Sequence, residues 1–181
     1  WDLRPRNNHG IVLRHPAQVV DAKYSPDGSL IASIDLNRTL RIWNRYSGEQ
    51  VSIYDRPDEF MRPLAFSPDG SQVFIPGQFN PAIIWDIESK TEVVQFSDQP
   101  NTLKLGEYSP DGKTIMTVSY DGTLKLWRSD TGQELPAFSN YTEGVYFARF
   151  THNGEQIATA GTDGVVRILD VASGEQRQIF E

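Results

Sequence analysis

The stretch Ser109-Pro110-Asp111-Gly112, which continues through Thr117 and Asp121 and ends on Trp127, decides the fold of this chain. Its first four residues are typical of a tight turn, because Pro fixes φ, Asp accepts hydrogen bonds from the turn backbone and Gly tolerates positive φ. The short apolar, β-branched run around Thr117 is typical of a buried strand. A second turn follows at Asp121, and the alternation before Trp127 is that of a half-exposed strand. The stretch therefore predicts two antiparallel strands joined by a turn.

The same pattern recurs along the chain at a constant spacing. Turns of this kind begin at residues 25, 67, 109 and 151, an interval of 42 residues each time. Trp43, Trp85, Trp127 and Leu169 are separated by the same interval. A fixed period of roughly 20 to 50 residues is the signature of a repeat protein. Two independent landmarks therefore divide the chain into four repeats.

Each repeat holds four short strand-like segments, which we call strands a to d. Strand a precedes the Pro-Asp-Gly turn and closes on an aromatic residue, strands b and c flank the next turn, and strand d follows. In the third repeat they are residues 103–108, 115–118, 124–127 and 134–138. Residues 10–13 read as a spare strand d ahead of the first repeat. No segment has a helical period, so we expect an all-β protein.

A single antiparallel sheet of four short strands cannot bury both of its faces. Radial stacking of several such sheets buries these faces and leaves only short edges, which is the architecture of a β-propeller. We therefore predict a β-propeller built of four-stranded antiparallel blades, with four blades in this chain. Pro63 falls in a strand a and Pro136 in a strand d, the two edge strands, where a missing N–H is tolerated.

The repeat boundaries predict one propeller segment across residues 1–181. Residues 1–14 read as the remnant of a preceding repeat, and the blades lie at about 15–56, 57–98, 99–140 and 141–181. The first residue is Trp1 rather than Met, so we expect a segment of a longer protein or a trimmed chain.

Composition narrows the classes of function. The chain has 17 Lys and Arg residues and 24 Asp and Glu residues, which give a net charge of -7. This charge disfavours a nucleic-acid partner, because binding to a phosphate backbone needs clustered cations. The chain has no Cys, no apolar run long enough to span a bilayer and no signal peptide at its start, so we expect no membrane partner and a cytoplasmic location.

No set of residues predicts catalysis, a metal site or a cofactor. Asp130-Thr131-Gly132 has the letters of an aspartic-protease motif, but it falls at the c–d turn of its repeat. His9, His15 and His152 have no partner at metal-ligand spacing. We therefore expect a protein that is not an enzyme and needs no cofactor.

The repeated Ser-Pro-Asp-Gly turns, the Asp121-Gly122 turn before Trp127 and the dipeptide Trp85-Asp86 resemble the WD-repeat β-propeller family. The likeness covers essentially the whole chain. In that family a hydrogen-bonded tetrad ties each blade: a His before strand a, a Ser or Thr in strand b, an Asp in the b–c turn and the Trp that ends strand c. The resemblance implies the following structural tetrad residues: His15, Ser33, Asn37 and Trp43; Trp85; Thr117, Asp121 and Trp127; Thr159 and Asp163.

The second and fourth repeats depart from the tetrad pattern. Ile75 and Phe79 replace the hydroxyl and the Asp in the second repeat, so we expect apolar packing to hold that blade. Leu169 replaces Trp in the fourth.

The number of blades leaves three alternatives. Family members usually have seven or eight blades, which leaves three arrangements: the chain is part of a longer propeller, it pairs with a second copy into a ring of eight, or it closes alone. The wedge angle of a blade argues against closure at four, and we favour a homodimer with eight blades.

The resemblance implies that protein or peptide partners bind the ring face formed by the d–a and b–c loops. By the period, that face presents Leu36, Phe60, Arg62, Gln78, Lys104, Tyr120, Tyr146 and Thr162. We expect a non-catalytic interaction scaffold. The alternatives are a sensor or regulatory propeller of a larger enzyme or nucleotide-switch protein, and an excised or engineered half-propeller that self-assembles.

Overall fold

The computed structural model describes residues 10–55, 64–77, 81–96, 103–138 and 144–180. These residues form four antiparallel sheets, here called blades 1 to 4. Blade 1 contains β1 (Val19–Tyr24), β2 (Leu30–Asp35), β3 (Thr39–Asn44) and β4 (Gln50–Asp55). Blade 2 contains β5 (Ala65–Phe66), β6 (Gln72–Ile75), β7 (Ala82–Asp86) and β8 (Thr91–Phe96). Blade 3 contains β9 (Leu103–Tyr108), β10 (Thr114–Ser119) and β11 (Leu124–Arg128). Blade 4 contains β12 (Val145–Phe150), β13 (Gln156–Gly161), β14 (Val166–Asp170) and β15 (Gln176–Phe180).

The strands of each blade pair with their sequence neighbours, in the order a, b, c, d in blades 1, 2 and 4 and a, b, c in blade 3. The ladder between strands c and d is irregular at the same place in three blades: between Ile42 and Trp43, between Ile84 and Trp85, and between Ile168 and Leu169. An irregularity of this kind bends the outer strand and increases its twist. The all-β fold and the repeat predicted from the sequence are confirmed.

Blade 3 differs from the prediction at its outer edge. Glu134 makes a single bridge to Trp127, and Pro136–Phe138 then form a 3-10 turn instead of a fourth strand. Pro136 has no N–H to donate to a ladder, which explains why pairing stops there. Phe138 is nevertheless fully buried, so the segment still closes the core.

The turns between strands a and b explain why the repeat is so regular. The Ser109 hydroxyl donates to the Asp111 carboxylate at 2.6 Å, and the N–H of Gly112 donates to the Ser109 carbonyl at 2.9 Å. Gly112 has a φ of +74°, which an L side chain rarely adopts. The equivalent turns of blades 1 and 2 have the same hydroxyl-to-carboxylate bond at 2.6 Å, and in blade 4 the Thr151 hydroxyl lies 2.8 Å from the Asn153 side-chain oxygen.

The core of the protein lies between the blades. Three apolar clusters join blades 1 and 2, 2 and 3, and 3 and 4; they include respectively Leu40 with Ile83, Phe74 with Ile115, and Met116 with Ile157. Burial of apolar area between blades therefore supplies most of the hydrophobic stabilisation. Among the described residues, no cluster joins blade 4 to blade 1.

Candidate functional site

One end of the propeller segment carries the residues that the sequence predicts for partner binding. The b–c turns and the starts of the a strands meet there, because strands a and c run antiparallel to b and d. We call this surface the turn face. Leu36, Tyr120 and Tyr146 expose 55%, 72% and 60% of their surface on it. Thr162 is also exposed and Lys104 is half-buried, while Phe60, Arg62 and Gln78 lie outside the described residues.

The turn face has a rigid base where blade 3 meets blade 4. The backbone N–H at the start of β12 donates to the Gly122 carbonyl at 2.9 Å, and the N–H of Thr162 donates to the Gly144 carbonyl at 2.8 Å. Gly122 has a φ of +87°, and a Cβ on it would lie 2.7 Å from Gly144 Cα. Two backbones approach this closely only where glycine stands. The b–c turns of two blades and the start of strand a are thereby locked together.

Two predicted side chains contact each other above this base. The Lys104 ammonium group lies 3.0 Å from the centre of the Tyr146 ring, an attractive cation–π contact between neighbouring blades. The contact holds the Tyr146 ring in place while leaving it exposed. The structure thus brings Lys104, Tyr120, Tyr146 and Thr162 to one boundary between blades. Leu36 stands apart on blade 1, where its N–H donates to the Gln18 carbonyl at 2.9 Å.

Three residues of the predicted tetrad of blade 1 form a buried network with two residues that were not predicted, Asp35 and Arg41. The Trp43 indole N–H donates to Ser33 Oγ at 2.7 Å, and His15 Nε2 lies 2.6 Å from the same oxygen. His15 Nδ1 lies 3.0 Å from the carboxylate of Asp35, which also accepts a bond of 2.8 Å from Arg41. Burial raises the pKa of Asp35, but hydrogen bonds from His15, the Thr39 N–H and Arg41 outweigh burial and leave that pKa below its usual value.

Asn37, the predicted acid position of this network, is not part of it. Asn37 is exposed in the b–c turn, and Asp35 at the end of β2 takes the role instead. Asp35 suits it because its Oδ2 accepts from His15 and Arg41 while its Oδ1 accepts from the Thr39 N–H, whereas an amide would place an NH2 group where one of these two oxygens is needed. The sequence offered a signal, since the equivalent positions of the other blades hold Gly77, Ser119 and Gly161, none of which is acidic.

Ser33, His15 and Asp35 have the residue types of a nucleophilic triad, yet their surroundings do not allow its chemistry. The side chains of His15 and Asp35 expose 1% and 0% of their surface. The Ser33 oxygen is already engaged by Trp43 and His15. A nucleophile needs room for a substrate carbonyl beside it. The network is therefore structural.

The other blades contain parts of the tetrad. In blade 3 the Trp127 N–H donates to the Thr117 hydroxyl at 2.8 Å, while Asp121 bonds locally to the Ser119 hydroxyl and the Thr123 N–H. In blade 4 Asp163 pairs with Arg167 at 2.6 Å, and Thr159 is buried without a Trp beside it.

Blade 2 makes a hydrogen bond to blade 1 that the sequence did not predict. Ile75 offers no oxygen, and the Trp85 N–H instead donates to Ser52 Oγ of blade 1 at 3.1 Å. The Trp85 ring also packs on Tyr54 with ring centres 4.6 Å apart. Trp85 also lies in the apolar cluster that joins blades 1 and 2, so apolar packing and a hydrogen bond between blades together hold this blade.

The described parts of the chain show neither a metal site nor a membrane-spanning helix. No group of three or more His, Asp or Glu side chains there could hold a metal ion. No helix in those parts has the length and apolar character needed to cross a lipid bilayer. Asp130 lies in an exposed turn, where it pairs with Arg128 at 2.8 Å.

The repeats match a known family. A family model described as WD domain, G-beta repeat, matches residues 9–44, 95–128 and 132–170, which together make up more than half of the chain. The chain belongs to the WD-repeat family. WD-repeat domains generally act as scaffolds for protein–protein interaction and are typically non-catalytic. The matched segments leave out residues 45–94, which contain most of blade 2 of this WD-repeat chain, including Trp85.

A relative carries a similar stretch. Over 66 residues the chain is 29% identical to Protein HIR1 of Candida albicans (strain SC5314 / ATCC MYA-2876). The aligned stretch covers 36% of this WD-repeat chain and 7% of the length of HIR1. The similarity thus concerns a small part of a much longer protein.

Proposed function

We propose that this chain is a non-catalytic interaction module that binds a protein or peptide on the turn face. The observation that carries the proposal is the cluster of Lys104, Tyr120, Tyr146 and Thr162 on a base of locked turns. Exposed tyrosines are frequent binding hot spots, because a large ring gives contact area at little cost in side-chain entropy. Backbone hydrogen bonds already fix the turns beneath these side chains, which lowers the entropic cost of binding further.

The chemistry of the turn face favours a protein over a nucleic acid. Two of its exposed side chains are tyrosines, and the ammonium group of Lys104 is held against one of them. The chain as a whole has a net charge of -7, which repels a phosphate backbone. We propose that Phe60, Arg62 and Gln78, which the period assigns to the same face, extend this surface.

A second proposed property is self-association into a homodimer with eight blades. Its support is the exposure of apolar side chains on both end blades, including Val19 and Tyr24 on blade 1 and Val166 and Phe180 on blade 4. On this proposal residues 1–181 form one propeller segment, whether natural or an excised half-propeller.

The match to a short part of HIR1 favours an alternative role within a longer protein, as a sensor or regulatory propeller beside another domain. The expected cytoplasmic location stays a prediction.

Peptide selection tests the turn-face proposal. Peptides are selected on the wild-type chain from a random displayed library, and their affinities are then measured for the Tyr120→Ala/Tyr146→Ala variant. Loss of a hot spot costs about 2 kcal/mol, roughly 30-fold in Kd, so a large loss of affinity is expected. Tyr46→Ala is the matched control, because Tyr46 is 68% exposed but lies in the c–d turn, away from the turn face. Selected peptides that lose affinity on Tyr46→Ala, and not on the double variant, would refute the proposal.

A further inference from the structure

The boundary of blades 3 and 4 on the turn face is rich in hydrogen-bond donors that lack acceptors. The Lys104 ammonium group carries three donor hydrogens, and Tyr120, Tyr146 and Thr162 each carry a hydroxyl. Among the described residues, the ammonium group contacts the Tyr146 ring and has no carboxylate partner, and none of the three hydroxyls makes a hydrogen bond. Four neighbouring side chains therefore offer polar hydrogens to a ligand.

These side chains flank a contact that the chain makes within itself. Gly122 lies two residues after Tyr120, and Gly144 lies two residues before Tyr146. A Cβ on Gly122 would lie 2.7 Å from Gly144 Cα, and the Thr162 hydroxyl lies against Gly144 as well. Both blades of this boundary belong to the chain, so neither an adjoining blade nor a second copy is needed to form the site.

The carboxylates of the two b–c turns are engaged away from Lys104. Asp121 accepts a hydrogen bond from the Ser119 hydroxyl, which is the main reason why the pKa of Asp121 is lowered. Asp163 accepts from the Arg167 guanidinium group at 2.6 Å. Neither carboxylate pairs with Lys104, whose positive charge is therefore open to the carboxylate of a partner.

The negative charge of the chain is concentrated at the opposite end of the blades. The a–b and c–d turns lie there, and with the last residue of each strand c they cover residues 25–29, 44–49, 67–71, 86–90, 109–113, 128–133, 151–155 and 170–175. These residues include ten Asp and Glu and four Lys and Arg, a net charge of -6 out of the -7 of the whole chain. An acidic partner is therefore repelled from that end and oriented towards the turn face.

From this chemistry we infer that the boundary of blades 3 and 4 binds an Asp or Glu side chain of a peptide, with Lys104 as the group that pairs with its carboxylate. Such recognition rests on the proposed function of the turn face and specifies the chemical class of its ligand. A carboxylate only accepts hydrogen bonds, so it satisfies donors that have no acceptor. A phosphate group carries about two negative charges and is best bound by several Arg side chains, whereas Lys104 supplies a single charge. The exposed rings of Tyr120 and Tyr146 pack on the apolar neighbours of the acidic residue.

Parallel selections test this specificity. Peptides are selected from a random displayed library on the wild-type chain and on Lys104→Glu. The wild-type peptides should be enriched in Asp and Glu relative to the unselected library, and the Lys104→Glu peptides should lose that enrichment and gain Lys and Arg. Lys113→Glu is the matched control and should select the same acidic peptides as the wild type, because the Lys113 side chain is 83% exposed in an a–b turn at the opposite end.

The affinity of one selected acidic peptide measures the coupling between the two charges. Lys104→Met removes the charge and keeps the apolar stem of the side chain beside the Tyr146 ring. This variant should weaken the Kd by about 10-fold at low salt, and an acid-to-amide change in the peptide should weaken it by a similar factor. The two changes together should cost little more than either alone. Added salt should weaken binding to the wild type more than binding to Lys104→Met.

The outcomes separate carboxylate recognition from the turn-face proposal beneath it. Wild-type peptides without acidic enrichment, an unchanged Kd for Lys104→Met or additive losses in the double change would each overturn carboxylate recognition alone. Acidic peptides that bind Tyr120→Ala/Tyr146→Ala as tightly as the wild type would overturn the turn-face proposal itself, as would a selection that yields no binding peptide.

Discussion

Two threonines at equivalent positions of consecutive blades should respond differently to the same substitution. Thr117 and Thr159 are both buried in strand b. The Thr117 hydroxyl accepts the Trp127 indole N–H at 2.8 Å. At the matching position of blade 4 stands Leu169, and the Thr159 hydroxyl makes only a long bond of 3.5 Å to the Arg167 carbonyl among the described residues. Replacement of each Thr by Val removes the hydroxyl and keeps the volume of the side chain.

The expected loss in the free energy of unfolding depends on whether each substitution leaves a buried donor without an acceptor. Thr117→Val leaves a buried indole N–H without an acceptor, which costs about 1–3 kcal/mol. Thr159→Val leaves no buried donor and should change the free energy of unfolding by less than about 0.5 kcal/mol. For a chain of this size each kcal/mol lowers Tm by about 2–4 °C. Thr117→Val should therefore lower Tm by several degrees more than Thr159→Val.

Thermal and urea unfolding, followed by far-ultraviolet circular dichroism, measure both variants against the wild type. Hydrogen exchange of the β10 and β11 amides localises the effect, which should be confined to blade 3. Equal losses in the two variants would refute the reasoning, since the Trp hydrogen bond would then contribute nothing beyond the packing of the Thr side chain.

Three further changes test the packing and the turns. Tyr108→Phe should preserve or raise Tm, because the Tyr108 hydroxyl is buried with no hydrogen-bond partner among the described residues and its removal relieves about 1 kcal/mol of desolvation. Gly106→Ala should lower the free energy of unfolding by about 1–3 kcal/mol in urea titrations, because its Cβ would lie 2.5 Å from the Phe74 ring. The double variant Gly106→Ala/Phe74→Leu should lose less than the sum of the two single variants. The hydrogen bond from the Ser25 hydroxyl, followed by bonds from Ser29, lowers the pKa of Asp27 to about 2. Ionised Asp27 therefore stabilises the fold above about pH 4, and this contribution is lost as the pH falls towards 2. The Tm of Asp27→Asn should therefore fall less between about pH 4 and pH 2 than the Tm of the wild type.

The fold could be predicted because its determinants are local. The Ser109–Gly112 turn is specified by hydrogen bonds among its own residues, and the same four-residue chemistry recurs at 25, 67 and 151 with no insertion. A constant period then places each strand of a blade against the equivalent strand of the next. Pro136 removes one backbone N–H from the expected outer strand of blade 3, and the prediction fails for that segment alone.

The site was harder to predict because its contacts are not local. The sequence assigned Asn37 to the tetrad by its position in the repeat, whereas the network selects Asp35, whose carboxylate reaches His15 and Arg41. The contact of Lys104 with Tyr146 joins two blades, and no pattern within one repeat could show it. Both findings depend on where side chains of different repeats converge.

The hydrogen bond from Trp85 to Ser52 has a consequence for the order of the repeats. At the position of Ser52, blade 3 has Pro136, whose side chain carries no acceptor, and blade 4 has Gln178, whose acceptor is an amide oxygen on a longer side chain. The Ser hydroxyl that accepts from Trp85 is therefore supplied by blade 1. Repeats of equal length look interchangeable, yet a shuffled chain that places blade 2 directly after blade 3 would keep its length and lose this hydrogen bond.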